Sequence, residues 1–168
     1  MQISRDDKSF SFVLFAPDRA FLAQILSKII TNYSQKPGDM DPRVAAAWYP
    51  PGVGEKPEDA EDVELWVEEL RVFRSGNAAL CRTCLQFLQE AGAEEPVVLQ
   101  IPLEQSETFM VVLNDHRIYQ AALHGIGEHE MDQPWDKVQD LEKRQALLEI
   151  HFLAVILETM LHLGMGGV

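Results

Sequence analysis

Cysteine, basic charge and long apolar runs are all scarce in this 168-residue chain. Two cysteines cannot build the disulfide framework of a small secreted domain. Lys and Arg number 14 against 27 Asp and Glu, a formal net charge of −13. So few cations leave no cluster to hold phosphate, and neither direct nucleic-acid binding nor attachment to an anionic membrane is expected. The opening Met1-Gln2-Ile3-Ser4-Arg5-Asp6-Asp7 lacks the basic and apolar regions of a signal peptide. A membrane span needs about 20 predominantly apolar residues. The best candidate, Ala146 to Met165, is interrupted by Glu149, His151, Glu158 and His162, so it reads as a buried core helix. A cytoplasmic protein is the expectation. Glycine-rich phosphate loops and Gly-x-Ser-x-Gly elbows are also missing, and no cofactor is expected.

What is present suits a packed domain. Hydrophobic residues make up 46% of the chain, too many for an acidic disordered segment. The length suits one domain, 1–168. Residues 1–16 read as a hairpin, with Ser9-Phe10-Ser11-Phe12-Val13-Leu14-Phe15 alternating at first and then fully apolar. Residues 17–92 read as helices. Pro17 and Asp18 open the first, and Phe21, Leu22, Ile25, Leu26, Ile29, Ile30 and Tyr33 recur at helical spacing. Asp41-Pro42 caps a short helix to about Trp48, and Tyr49 to Gly54 forms a loop. The next helix follows an acidic start from Glu55, with Val63, Trp66, Val67, Leu70 and Phe73 inward, a break at Ser75-Gly76-Asn77, and an end at Gly92. Residues 96–101, rich in β-branched side chains, read as a third strand. Residues 104–163 supply two more helices, one ending at Gly125 and one running from Trp135 to about Leu163. The expected fold is α+β, mainly α. Five to six helices surround a central C-terminal helix, beside a small antiparallel sheet of the hairpin and one later strand.

Each chemical constellation has a structural alternative. Cys81-x-x-Cys84 lies inside a helix rather than at its N-terminus, where a dipole would lower a thiol pKa. Small core cysteines are the favoured reading over a redox pair or metal site. Glu158 and His162 are one turn apart, with His151 seven residues before Glu158. They are weak metal candidates, because bundle metal sites use Glu-x-x-His on two helices. Glu128-His129-Glu130 reads as a solvated loop. In Leu113-Asn114-Asp115-His116-Arg117-Ile118 four polar residues interrupt an apolar helix, so some must point inward. A buried Asp or Arg is costly unless paired, and Arg71 or Arg74 is an available partner. Asn114, Asp115, Arg117, Arg71 and Glu69 therefore form a candidate polar network, read as structural in preference to a binding site.

Those pieces carry a resemblance. Asp41-Pro42, Trp48-Tyr49-Pro50, Glu69-Leu70-Arg71 and Asn114-Asp115-His116-Arg117 together resemble an uncharacterised bacterial domain-of-unknown-function family with a Leu-Asn-Asp-x-Arg signature, best known from actinobacteria. The sequence departs from that family at Leu70, where the family has Phe, in the Gly127-Glu128-His129-Glu130 loop, and in its longer terminal helix. The resemblance implies no established activity. Its genes often stand beside the adaptor of the Clp protease, which implies a link to protein turnover, and some members carry a transcriptional-regulator label.

Taken together, the expectation is a non-enzymatic interaction or adaptor protein. Its partner would be a protein, basic where it meets the acidic stretches Glu55–Glu69 and Glu128–Glu142, with a second copy of the chain as another option. The alternatives are a small-molecule-binding or metal-dependent enzyme centred on Asp115 and Arg117, and a regulator acting on transcription indirectly.

Overall fold

The computed structural model describes residues 1–50, 60–92, 95–133 and 137–165. Glu55, Glu58, Asp59, Trp135, Gly166 and most of the loop after Tyr49 lie outside the described residues.

Strands β1 (Gln2–Arg5) and β2 (Ser9–Leu14) form the hairpin, and β3 (Val97–Pro102) completes an antiparallel sheet in the order β1-β2-β3. Asp6 shapes the turn: its Oδ1 accepts from the backbone N–H groups of Lys8 and Ser9 at 2.8 and 2.7 Å. These bonds hold the Asp6 carboxyl below its ordinary range. Register places Phe10 opposite Ile101, Phe12 opposite Leu99 and Leu14 opposite Val97. All six are buried, so one face of the sheet is core.

Among the described residues there are six α-helices: α1 (Ala16–Tyr33), α2 (Pro42–Trp48), α3 (Ala60–Glu90), α4 (Leu103–His124), α5 (Glu128–Met131) and α6 (Leu141–Met165). The expected α+β, mainly helical fold with its small antiparallel sheet is what forms. The C-terminal helix packs on the others, chiefly α4 and β1, while α4 itself meets α2, α3, α6, β2 and β3. Phe12 of the sheet meets Phe109 of α4 edge-to-face, with ring centroids 5.7 Å apart. Asp41 caps α2 by accepting from the Arg43 backbone N–H at 2.9 Å, which turns Val44 and Trp48 inward.

Four local expectations need correction. No break occurs at Ser75-Gly76-Asn77, because α3 runs through it. Ala78, Cys81, Cys84 and Leu88 form a buried stripe directly after Gly76. That packing offsets the roughly 1 kcal/mol a helical glycine costs relative to alanine. Val63 and Phe73, expected inward, are exposed. Glu128-His129-Glu130 is a helical turn rather than a loop, closed by the Gly127 N–H donating to Glu130 Oε2 at 3.0 Å. The last helix starts at Leu141 rather than Trp135 because Asp140 caps it. Its Oδ1 accepts from the backbone N–H groups of Glu142 and Lys143 at 2.9 and 3.1 Å.

Candidate functional site

The polar tetrapeptide of α4 divides by helical geometry. Asp115 and His116 point inward and are buried, Asn114 is exposed and Arg117 is half-buried. Asp115 joins three helices. Its Oδ2 accepts from Tyr33 Oη of α1 at 2.9 Å and from Arg74 Nε of α3 at 3.1 Å. Its backbone carbonyl accepts from Trp48 Nε1 of α2 at 3.0 Å. The Arg74 guanidinium lies 4.9 Å from the Trp48 ring centroid and 5.1 Å from that of Tyr49, so both rings face its charge. Burial, and then the charge of Asp115, push the Tyr33 phenol far above its ordinary range, which keeps it a donor.

Arg74, not Arg71, is thus the partner of Asp115. Arg71 pairs with Glu68 on the surface of the same helix, and Glu69 is exposed. One turn along α3 from Arg74 is too far for a residue to share its contact, so Arg71 and Glu69 leave the network. The Trp-Tyr and Asn-Asp-x-Arg pieces of the resemblance do meet, at Trp48 and Asp115.

A second buried cluster was not foreseen. Glu149 of α6 is fully buried. Its carboxylate accepts from Lys28 of α1, from Gln120 at 3.1 Å and from Gln145 at 3.2 Å, and it is 2.9 Å from His116 Nε2. Burial alone would raise its pKa. The contacts from His116, Lys28 and Gln145 overcome that and lower it to about 2. The signal was in the sequence: Glu149 is an acid inside the most apolar helix, and His116 is the fourth member of the tetrapeptide. Pairing them needed the antiparallel α4/α6 packing, which sequence spacing does not carry. A cavity of about 300 Å³ opens beside this cluster, lined by Lys28, His124, Glu142 and Gln145 among others.

The remaining site residues face a different opening. Asn114, Asp115 and Arg117 of α4 and Glu158 of α6 line one groove of about 400 Å³, floored by Met110, Val111, Leu157 and Leu161. Arg117 Nε is buried without a hydrogen-bond partner, as is Arg74 Nη1. His162 is exposed and does not line the groove. Among the described residues no group of three or more His, Cys, Asp or Glu could hold a metal. Cys81 and Cys84 are free and buried. Burial, joined by the neighbouring Cys84, pushes the Cys81 thiol up to about 12, and burial pushes Cys84 to about 11. Neither has the depressed pKa of a redox thiol.

One further surface is distinctive. Leu65 and Val72 are seven residues apart on α3, in line along the helix, and are 61% and 57% exposed. By the same periodicity Glu61 and Glu68 flank this line on one side and Asp62 and Glu69 on the other; all four are exposed. Phe73, 56% exposed, lies beyond the Asp62 and Glu69 row.

Fold and site together define a helical α+β domain whose buried ionic groups clamp its helices while two surfaces stay open. A family model described as Domain of unknown function (DUF2017) matches residues 2–163, and the chain belongs to that family. No curated protein and no solved structure matches it.

Proposed function

We propose that this chain is a non-enzymatic interaction protein, an adaptor, that meets a basic amphipathic segment of a partner through the outer face of α3. The observation that carries this reading is the line of Leu65 and Val72 between two acidic rows. Apolar side chains so exposed on one face commonly mark an interaction site. The flanking carboxylates would steer Lys and Arg to either side of it. They would equally repel a second copy of the same face, so self-association through α3 is disfavoured. The buried carboxylates support the same reading. Asp115 and Glu149 already accept several hydrogen bonds each, and a lowered pKa makes Glu149 a poor proton acceptor. The turnover role implied by the resemblance fits an adaptor, which needs docking surfaces rather than a catalytic centre. A cytoplasmic setting belongs to this reading. The apolar helix α6 is long enough to cross a membrane, yet it packs as a core helix, with Leu147, Leu153 and Ile156 buried among its neighbours.

Photo-crosslinking in cells tests the proposal. A photoreactive residue replacing Val72 should give a discrete adduct through a Lys- or Arg-rich partner segment. The same residue replacing Gln24, exposed on α1, should give none. Charge reversal at Glu61 and Glu68 should abolish the adduct. Equal labelling from both positions, or an adduct indifferent to charge reversal, overturns the reading.

A further inference from the structure

We propose that the groove between α4 and α6 binds the C-terminal tail of a polypeptide, with its terminal carboxylate on Arg117. This face is separate from the α3 line, and the inference stands or falls without it.

Three observations fix the ligand's chemistry. The first is the cation. Arg117 is half-buried, its Nε is buried without an acceptor, and among the described residues it forms no ion pair. A guanidinium whose Nε is withdrawn from water without an acceptor is costly. Its planar fork matches a carboxylate, which it can hold through two parallel N–H···O bonds. The second is the floor. Met110, Val111, Leu157 and Leu161 make it apolar, and about 400 Å³ lies within the range of roughly 300–1,000 Å³ usual for ligand pockets. Two methionines let such a surface adapt to different side chains: Met110 lies here, and Met165 lines the adjoining pocket of about 300 Å³, which shares Met110 and Leu161 with the groove. The third is the rim, where Glu107 and Glu158 are both exposed. They oppose a second negative group and favour a cation.

A ligand must therefore bring one carboxylate, an apolar body and a positive charge. A fatty acid lacks the cation. A nucleotide carries too many negative charges and too little apolar surface. A polypeptide C-terminus with apolar last residues and Lys or Arg a few positions upstream brings all three. From Leu157 to Met165 the wall of α6 runs about 12 Å, which accommodates three to four extended residues.

The test uses the full chain against a display library of random octapeptides with free C-termini. The enriched peptide is then measured by fluorescence anisotropy as the free acid and as the C-terminal amide. Enrichment of apolar ends with an upstream basic residue is expected. The free acid should bind about 10- to 100-fold tighter than the amide, as expected for a hydrogen bond to a charged group. Arg117→Gln should bring that ratio close to one while leaving the unfolding midpoint nearly unchanged, because Arg117 has no ion pair to lose among the described residues. Glu158→Gln should weaken the preference for the upstream basic residue and keep the preference for the free acid. No enrichment, equal binding of acid and amide, or a ratio unchanged in Arg117→Gln overturns the proposal. Octanoate competing as well as the peptide would assign the groove to free acids and overturn it too.

Discussion

Removing the Asp115 carboxylate should be among the most damaging single changes available to this protein. Asp115 is 8% exposed and the Arg74 side chain 12% exposed, so the pair is largely shielded from water. Asp115→Ala strips Arg74 of its only counter-charge among the described residues and adds Nε to the already unpartnered Nη1. It also releases the Tyr33 hydroxyl. Breaking one side of a buried pair costs about 3–5 kcal/mol because the other charge stays buried. The loss of the Tyr33 bond overlaps with that cost, and about 4 kcal/mol is the expected total. Domains of this size have roughly 5–15 kcal/mol of stability. Each kcal/mol shifts the melting temperature by about 2–4 °C, so Tm should fall by about 8–16 °C. Urea unfolding of four proteins checks the cause: wild type, Asp115→Ala, Arg74→Met and the double variant. Arg74→Met should partly rescue Asp115→Ala, since it removes the orphaned charge, with a coupling energy of about 1–3 kcal/mol. A loss below about 0.5 kcal/mol for Asp115→Ala, the range of ordinary surface changes, would refute the reasoning. Strict additivity in the cycle would refute it as well.

Glu149 supplies a pH dependence. Its folded pKa of about 2 lies below the ordinary 4.5, so its contribution is complete above about pH 4.5 and is lost as pH falls through about 2. The gap corresponds to about 3 kcal/mol. The stability difference between wild type and Glu149→Gln, followed by urea unfolding, should therefore shrink steadily from pH 5 towards pH 2. A constant difference would exclude the linkage. Cys81 and Cys84, buried and with raised pKa values, should react with a thiol reagent only when the chain unfolds; rapid labelling of the native protein would contradict their burial. Gly125 caps α4 at φ +57° with no atom within 4 Å of an added Cβ. Gly125→Ala should then cost only the left-handed backbone penalty, about 1–2 kcal/mol, read from the unfolding midpoint.

Much of the fold was legible because local chemistry and global packing agreed. The Phe10-Phe12-Leu14 alternation, the Asp41-Pro42 cap and Gly125 each state one structure, and each forms it. The misreadings share a cause. At Ser75-Gly76-Asn77 local propensity favoured a break, and tertiary burial of Asn77 and Ala78 overrode it. At Trp135 the apolar pattern pointed to an earlier helix start than the Asp140 cap allows. Of the candidate site residues, Asp115 could be recognised as buried because four polar residues interrupt an apolar helix. Its partner could be narrowed only to Arg71 or Arg74, one turn apart, and a turn of α3 decides between them. His116 and Glu149 were each visible as misfits in apolar helices. Their pairing is a tertiary fact, set by α4 and α6 lying antiparallel.

The two ionic clusters explain why the open surfaces can stay open. Asp115 ties α4 to α1, α2 and α3, and Glu149 ties α6 to α1 and α4. Pairs like these add little net stability over well-packed apolar side chains, but each is satisfied in only one arrangement of helices. In this chain they set the spacing and rotation of α4 against α6, and hence the width of the groove between them. Arg117 differs from Asp115 and Glu149 in this respect, because among the described residues its Nε has no partner. The net charge of −13 divides along the same lines. The buried carboxylates are neutralised by Arg74 and Lys28, so the excess lies on the surface, with Glu61, Asp62, Glu64, Glu68 and Glu69 along the start of α3. A chain organised in this way spends its buried charge on register and leaves its surface acid, with Arg117 in the groove, for whatever docks.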